Sequence, residues 1–338
     1  MTADETSPRD TLLRMTNAFQ VSQAIHVAAA LGIADLLEDG PKSADELAET
    51  TGTHAPSLYR LLRALASVGI FVETDGRFGS TPHAEYLRTD TPGSLRAWAM
   101  LIGQRYGWTS WGHLLYSVRT GEPAFPDLYG TTAWEYRAVR PEEDAVFNAA
   151  MTALSSGVVE AVVQSYAFSG IGTLVDVGGG EGALLAAILA ANPSLRGILF
   201  DQPHVVRSVG ALLERAGVAD RCEVVGGSFF EAVPAGADAY LLKSVIHDWD
   251  DEAAIEILRA CRVAMDDRRG KLLVVEPVIR PGNDPDPAKF TDLNMLVMLG
   301  AKERTADDFE LLYGEAGFKL SDIIRTGSPF NIIEGTPV

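Results

Sequence analysis

The sequence predicts an α/β protein with a mainly helical N-terminal part and a C-terminal domain built on a parallel sheet. Three observations predict this class: helical spacing of apolar residues before position 168, short apolar runs alternating with amphipathic segments after it, and a glycine-rich turn behind the first such run. A chain of 338 residues exceeds the common domain size of about 100 to 150 residues. We therefore expect divisions at 1–100, 101–168 and 169–338.

The first hundred residues have the order of a winged helix. Apolar residues at helical spacing predict two helices over residues 11–39, broken at Gly32. A further helix over residues 58–68 precedes a hairpin over residues 71–78. A winged helix commonly binds DNA, but this part of the chain has eight Lys and Arg against thirteen Asp and Glu. We therefore expect a dimerisation and substrate-lid domain, with DNA binding as the minor alternative.

Composition narrows the classes of partner. The formal net charge of −18 would repel a phosphate backbone, so nucleic acid is not an expected partner. The acidic N-terminus does not resemble a secretory signal, and no uninterrupted apolar run reaches the roughly 18 residues of a membrane span, so we expect a cytoplasmic protein without a membrane partner. The two cysteines have no metal-ligand spacing, and no metal site is predicted.

The middle and C-terminal parts differ in pattern. Residues 94–168 are helical and rich in aromatic side chains, with an interruption over residues 121–130, which indicates a connector that can wall a pocket. After it, buried apolar runs alternate with amphipathic helices, the pattern of a parallel sheet covered on both faces. The predicted strands are Thr173 to Val177, Ile198 to Asp201, Glu223 to Val225, Ala239 to Lys243 and Lys271 to Glu276.

A candidate cofactor loop follows the first strand. The run from Leu174 to Ala183 predicts a buried strand, a glycine-rich turn and the start of a helix, and Gly178 and Gly180 permit a ligand close to the main chain. The spacing G-x-G-x-x-A also fits a dinucleotide fold, so a nicotinamide cofactor is an alternative. Glu181 disfavours a pyrophosphate and favours a cation such as S-adenosylmethionine, which carries sulfonium and ammonium groups.

Two residues at the ends of the next strands extend this site. Asp201 ends the second strand, where in this class of fold a carboxylate accepts hydrogen bonds from both ribose hydroxyls. Its alternative is a helix N-cap before Pro203. Phe229 follows the third strand and could either stack on adenine or pack in the core.

Four runs in the same order give the chain a family resemblance. The runs 241–252, 176–180, 200–204 and 301–305 closely resemble the plant-type small-molecule O-methyltransferases, which include caffeate and flavonoid enzymes and bacterial relatives that tailor aromatic natural products. The resemblance covers nearly the whole chain, because the winged-helix start and the connector recur in that family. It implies a Rossmann-like, S-adenosylmethionine-dependent methyltransferase domain behind a dimerisation domain, and hence a homodimer.

The resemblance also implies which residues hold the methyl donor. The residues matching the family's S-adenosylmethionine site, with the glycine loop included, are Asp176, Gly178, Gly180, Asp201, Phe229, Lys243 and Trp249. The sequence departs from the family at Ser228, where an acidic residue usually precedes the adenine-stacking side chain.

The remaining implied residues concern the acceptor. His247 matches the catalytic base, and Glu276 and Glu303 would flank its imidazole. The residues matching the acceptor pocket are Phe147, Met151, Asp292 and Met295, of which the two methionines sandwich an aromatic ring. A small, hydroxylated aromatic substrate is therefore expected.

These residue types suit methyl transfer to a phenol. A phenol has a pKa of about 10, so only about one molecule in a thousand is ionised at neutral pH. A histidine beside a carboxylate can take the proton, a role worth about 10²- to 10⁴-fold in rate. The leaving group is a neutral thioether, so we expect a reaction without a metal.

Three rival readings stay open at this point. A nicotinamide-dependent oxidoreductase would share the glycine loop. A DNA-binding regulator would need a basic face on residues 58–68, which offers Arg60 and Arg63. A family member diverted to non-methylating tailoring chemistry would keep the donor site, although such members generally lose the histidine found here at position 247.

Overall fold

The chain, described from a computed structural model over residues 7–265 and 270–338, separates into two compact units. The first contains the described residues up to Gly112 together with Trp134–Ser156. The second contains His113–Ala133 and the described residues from Gly157 onward. The boundaries predicted at residues 100 and 168 stay a prediction.

The N-terminal elements of the first unit follow the predicted winged-helix order. They are α1 (Pro8–Ala30), α2 (Ile33–Leu36), β1 (Lys42–Ser43), α3 (Ala44–Thr51), α4 (Ala55–Ser67), β2 (Phe71–Thr74), β3 (Arg77–Ser80) and α5 (Pro82–Glu85). The break between the first two helices is Gly32, which adopts a φ of 66°. The strands pair antiparallel in the order β1, β3, β2, and the hairpin turns at Asp75 and Gly76, both with positive φ. The predicted helices and hairpin are confirmed.

Six helices continue the chain. They are α6 (Arg96–Ile102), α7 (Arg105–Gly112), α8 (Leu114–Thr120), α9 (Ala124–Tyr129), α10 (Ala133–Ala138) and α11 (Pro141–Ser165). The interruption expected over residues 121–130 is shorter than predicted. It contains α9, which begins after Pro123 and ends before Gly130, a glycine with a φ of 67°. Proline before a helix and glycine behind it are common end signals, and here they delimit a helix instead of replacing one.

The helix α11 is long and apolar. Its 25 residues include an 18-residue window with a mean hydropathy of 1.5, so by length and composition it could cross a membrane. Only 18% of that window is buried within the chain. One helix of this kind is weak evidence, because core helices of other proteins pass the same test. The expectation of a protein without a membrane partner stays a prediction.

The second unit carries the predicted sheet. Its further elements are β4 (Thr173–Val177), α12 (Ala183–Ala191), β5 (Arg196–Asp201), α13 (Gly210–Arg215), β6 (Cys222–Gly226), β7 (Ala239–Lys243), α14 (Asp251–Ala264), β8 (Lys271–Glu276), β9 (Val278–Ile279), α15 (Ala288–Met298), β10 (Arg304–Thr305), α16 (Ala306–Glu315), β11 (Phe318–Arg325) and β12 (Asn331–Pro337). Short 3₁₀ turns cover Val206–Ser208, Ala219–Arg221 and Ile246–Asp248.

The sheet has seven strands in the order β11, β12, β8, β7, β4, β5, β6. The five strands from β8 to β6 are parallel, whereas the hairpin of β11 and β12 is antiparallel and was not predicted. One face packs against α14 and α16, and the other against α12, α13 and the last turns of α11, so both faces are buried. This is the predicted Rossmann-like α/β fold. Its strand order reverses between β4 and β7, where such sheets bind ligands at the carboxyl ends of the strands.

Candidate active site

The glycine turn behind β4 lies at that reversal point. Gly178 and Gly180 have φ values of 71° and 58°, a region that favours glycine. A Cβ on Gly178 would lie 2.8 Å from Cγ2 of Val245, whereas a Cβ on Gly180 would meet no heavy atom within 4 Å. The first glycine is therefore required by packing, and the second borders open space that a ligand could occupy.

Acidic residues surround this turn. The Oδ2 atom of Asp201 accepts the backbone N–H of Gly180 at 2.8 Å, which ties the end of β5 to the loop. Asp176 lies beneath the turn, only 1% exposed, and neither of its carboxylate oxygens has a hydrogen-bond partner within the described ranges. Burial raises the pKa of Asp176 to about 7, although the ammonium of Lys243 acts to lower it. Burial also lowers the pKa of Lys243. An unsatisfied buried carboxylate suits a cationic ligand.

Aromatic side chains line the same edge of the sheet. The rings of Phe229 and Trp249 lie 6.0 Å apart, and Phe230 packs edge-on against both, at 4.9 and 4.8 Å. The hydroxyl of Ser228 accepts the backbone N–H of Phe230 at 3.3 Å, so it orders this turn. Phe229 is half-buried and packs against the core at its edge, which leaves both predicted roles open to it.

His247 lies in the 3₁₀ turn that follows β7. Ser244, with a φ of 54°, turns the chain out of the strand. The imidazole Nδ1 lies 2.9 Å from Oε1 of Glu303, and Nε2 lies 3.6 Å from Oδ1 of Asp248. Burial lowers the pKa of His247, but the Glu303 hydrogen bond and the charges of Asp248, Glu276 and Glu303 outweigh it and raise that pKa to about 10. The ring is therefore a strong base oriented by a carboxylate.

Glu276 holds the backbone of the turn and makes no hydrogen bond to the imidazole. Its Oε1 atom accepts the backbone N–H groups of Val245, Ile246 and His247 at 3.1, 2.7 and 3.0 Å. Burial raises the pKa of Glu276 to about 7, against the charge of His247. Glu303 therefore contacts the ring directly, whereas Glu276, at the end of β8, binds the main chain of the turn and acts on the ring through its charge. The expectation that both glutamates flank the imidazole stays a prediction.

Two of the predicted acceptor residues lie on α15 in the same unit. The Oδ1 atom of Asp292 accepts the backbone N–H of Glu303 at 3.0 Å, and burial raises the pKa of Asp292. Met295 is buried one turn further along. A cleft of about 520 Å³ beside them is lined by Asp292, Leu296 and Glu303 among others.

The other two predicted acceptor residues, Phe147 and Met151, lie on α11 in the first unit and are half-buried. The ring of Phe147 is covered by the guanidinium of Arg137 at 3.9 Å and meets the edge of Trp134 at 5.8 Å. The first unit thus holds an aromatic and cationic cluster around Phe147.

Three residues of this site were missed by sequence reasoning. Asp248 approaches the free imidazole nitrogen, Ser244 makes the strained turn, and the buried Arg304 donates to the carbonyl oxygens of Ile246 and Trp249. All three lie within the motif runs that carried the family resemblance, and membership of those runs was the signal that could have identified them as site residues. The contacts of Arg304 could not be read from the sequence, because they join residues more than fifty positions apart.

Metal ligands do not cluster in the described part of the chain. Among the described residues, 7–265 and 270–338, no group of three or more His, Cys, Asp or Glu side chains is arranged to hold a metal ion. The acidic run that begins at Asp248 instead starts a helix, since Asp250 caps α14 by accepting the backbone N–H of Ala253 at 2.9 Å. The expectation of a metal-free reaction stays a prediction.

Comparison with known families matches both parts of the chain. Residues 111–319 match the O-methyltransferase domain, and residues 13–90 match the O-methyltransferase dimerisation domain. The chain belongs to the O-methyltransferase family, and it is an S-adenosylmethionine-dependent enzyme.

Individual relatives agree with this assignment along the full length. The chain is 49% identical to the phenazine O-methyltransferase PhzM of Lysobacter antibioticus over 97% of this chain and 96% of that protein. It is 39% identical to the mitomycin biosynthesis 6-O-methyltransferase of Streptomyces lavendulae, over 98% and 96%. The crystal structure of NcsB1 with S-adenosylmethionine and 2-hydroxy-5-methyl naphthoic acid superimposes with a TM-score of 0.85 at 35% identity, covering 99% of this chain and 100% of that one.

The residues of this chain fit the donor. S-adenosylmethionine is cationic, and the glycine turn has the buried carboxylate of Asp176 beneath it and open space at Gly180. The alternative of a nicotinamide-dependent oxidoreductase is not supported, because both family models describe O-methyltransferases.

Proposed function

We propose that this enzyme methylates a hydroxyl oxygen of a small aromatic acceptor and that His247 removes the proton of that hydroxyl. The single observation that carries the proposal is the imidazole of His247, bonded through Nδ1 to Glu303 at 2.9 Å at the edge of the sheet that holds the glycine turn. The names of the relatives, which refer to phenazine, mitomycin and naphthoate chemistry, support a flat, hydroxylated substrate.

The donor is proposed to lie along the glycine turn. Asp201 would accept hydrogen bonds from ribose hydroxyls, Gly178 and Gly180 would let the ligand approach the main chain, and Phe229 and Trp249 would contact the adenine. Because Asp176 is buried beneath the turn, we propose that its carboxylate acts on the cationic donor through its charge, which Lys243 partly balances. When bound, S-adenosylmethionine supplies the methyl group from its sulfonium and departs as a neutral thioether.

The base step uses the imidazole nitrogen that Glu303 leaves free. The acceptor hydroxyl transfers its proton to Nε2 of His247 as its oxygen forms the bond to the methyl carbon. Glu303 keeps Nδ1 protonated and stabilises the imidazolium. Because the pKa of His247 is about 10, the neutral ring is a strong base but a minor species at pH 7. The reaction is therefore expected to speed up at alkaline pH.

The family resemblance supports four acceptor residues. Met151 and Met295 are each proposed to supply a polarisable contact to an aromatic ring, and Phe147 and Asp292 are proposed as further acceptor residues. Alanine at either methionine is expected to raise the KM of the acceptor about tenfold and to leave donor affinity unchanged, since about 1.4 kcal/mol of lost contact gives that factor.

We also propose a homodimer formed through residues 11–100. The match to the dimerisation domain over residues 13–90 supports it, as do the large apolar side chains exposed on α1, among them Leu12, Met15 and Phe19. Sedimentation at micromolar concentration checks it, and a monomer would refute it. A chain lacking the first hundred residues is expected to be monomeric and inactive.

The function is tested with a panel of phenols, catechols, hydroxyquinones and hydroxyphenazines incubated with enzyme and donor. Mass spectrometry should show a gain of one methyl group on at least one acceptor. The variant His247→Ala should lower turnover about 10²- to 10⁴-fold while calorimetry gives a near wild-type donor affinity. Near-normal turnover of this variant at pH 7, on an acceptor with a pKa of about 10, would show that positioning alone carries the reaction.

A further inference from the structure

Arg304 is a fully buried cation beside the His247 turn. Its side chain is 0% exposed, and it lies on β10, which pairs with β9. Nη1 donates to the carbonyl oxygen of Ile246 at 2.9 Å, and Nη2 donates to that of Trp249 at 3.0 Å. Nε and Nη2 both donate to Oδ1 of Asp251, at 3.1 and 2.9 Å.

These contacts bracket the histidine. Ile246 precedes His247, and Trp249 ends the same turn, so the guanidinium binds the main chain on both sides of the imidazole. Glu303, the residue before Arg304, binds the ring itself. Two consecutive residues, Glu303 and the first residue of β10, therefore hold the side chain and the backbone of His247.

The geometry requires a guanidinium. The three acceptors lie in different directions, and the planar fork of arginine reaches them at once, whereas the single ammonium of lysine acts as a point charge. Removal of the fork leaves the carbonyl oxygen of Trp249 without this donor and leaves that of Ile246 with the longer bond from the backbone N–H of Trp249, at 3.3 Å. Because loss of a donor to a buried carbonyl oxygen destabilises its conformation, the turn is expected to rearrange. Asp251 supplies the counter-charge, and it is also bound by Lys302.

We propose that Arg304 is a positioning residue for methyl transfer: its fork fixes residues 246–249, so that the imidazole of His247 stays on Glu303 with Nε2 directed to the acceptor. The proposal rests on the assignment of His247 as the base. Arg304 acts through the main chain and is not proposed to touch the donor or the acceptor. Asp251, which anchors the guanidinium at the start of α14, belongs to the same arrangement.

The chain offers a matched control in Arg221. This arginine also donates to three backbone carbonyls, those of Leu189, Asn192 and Leu195, at 2.9 to 3.2 Å. It ends the 3₁₀ turn Ala219–Arg221, directly before β6, and holds the end of α12. Arg221→Lys therefore removes a comparable fork and should lower the melting temperature without changing the chemistry of His247.

The test compares Arg304→Lys, Asp251→Ala and Arg221→Lys with the wild type. Five quantities are measured: kcat and KM for the acceptor, donor affinity by calorimetry, melting temperature, and the pKa of His247 by NMR titration of its imidazole. For Arg304→Lys, kcat should fall about 10- to 100-fold, since a displacement of about 1 Å costs that much, while donor affinity changes less than about threefold. The groups that face the ring and raise its pKa are Glu303, Asp248 and Glu276, so a displaced ring should titrate at lower pH.

Asp251→Ala keeps the arginine and should give the same changes at a smaller size, which keeps the proposal testable if Arg304→Lys does not fold. If both variants lose thermal stability but keep the wild-type kcat and the wild-type pKa of His247, Arg304 is a structural residue and the proposal fails. The NMR titration separates this failure from that of the proposed base. A normal rate in His247→Ala would remove the base, whereas the imidazole pKa would still report whether Arg304 positions the ring.

Discussion

Replacing Glu303 by glutamine tests how much the charge of Glu303 raises the pKa of His247. The substitution removes one negative charge and keeps an oxygen that can accept a hydrogen bond from Nδ1 of His247, now 2.9 Å from Oε1. A full charge at that distance is worth about 6 kcal/mol at an effective dielectric constant of about 20. The net value of a hydrogen bond to a charged group, after loss of hydration, is about 3 kcal/mol, or about 2 in pKa. We therefore expect Glu303→Gln to lower the pKa of His247 from about 10 to about 8.

The sign of the pH dependence follows from these values. With a pKa of about 10, only about one imidazole in a thousand is neutral at pH 7, so wild-type kcat/KM should rise with pH up to about 10. In Glu303→Gln the rise should end near pH 8, and turnover on the plateau should be lower because the weaker base removes the proton less readily.

The measurements are NMR titration of the imidazole in the donor-free protein and kcat/KM from pH 5.5 to 10.5 at saturating donor. Glu310→Gln, a change at an exposed residue of α16, is the control for loss of one charge. A wild-type imidazole that titrates near its ordinary pKa, unaltered in Glu303→Gln, would refute the reasoning.

Three further predictions concern the donor site and the His247 turn. Gly180→Leu should weaken donor binding at least about 100-fold in calorimetry, because its side chain enters the open space proposed for the donor. The melting temperature should fall only slightly, since the positive φ costs about 1 to 2 kcal/mol. The control Gly170→Leu, also at positive φ and beside open space, should bind the donor normally. Ser228→Asp should keep or improve donor affinity, because a carboxylate strengthens a hydrogen bond to adenine, and a large loss would mean that the loop is arranged differently from the family's. Glu276→Gln should retain most activity, because an amide oxygen can still accept the three backbone N–H groups. Glu276→Leu should lose stability and turnover together, because those N–H groups lose their acceptor. Equal behaviour of the two variants would contradict the role of Glu276 as a backbone acceptor.

Local signals were sufficient for most individual elements. The break at Gly32 and the turn at Asp75 and Gly76 were predictable because positive φ favours glycine and a few polar residues. The buried strands β4, β7 and β8 were predictable because apolar runs of five or six residues must be covered on both faces. The helix α9 was missed because its flanking proline and glycine resemble a loop when read without the neighbours against which the helix packs.

Residues that interact over long sequence separations were predictable only in part. The pairing of His247 with Glu303 joins positions 56 apart, and the resemblance to a family implied it before any geometry was available. The preference of Glu276 for three backbone amides was not predictable, because it depends on how far β8 extends beside the end of β7. Arg304 shows the same limit, since nothing in its neighbours along the chain indicates that its guanidinium binds two carbonyl groups near position 247.

The sequence by itself determined the class of fold and the glycine turn at the end of the first strand, because these features follow from local spacing and from the chemistry of the side chains. The proposed roles of His247 and its carboxylates came from the resemblance to a family. Only the tertiary structure decided which carboxylate contacts the imidazole, which one holds the main chain, and which buried cation fixes the turn. The physical reason is that hydrogen bonds are directional and short, so their partners are chosen by the register of strands that are adjacent in the sheet and distant in the chain.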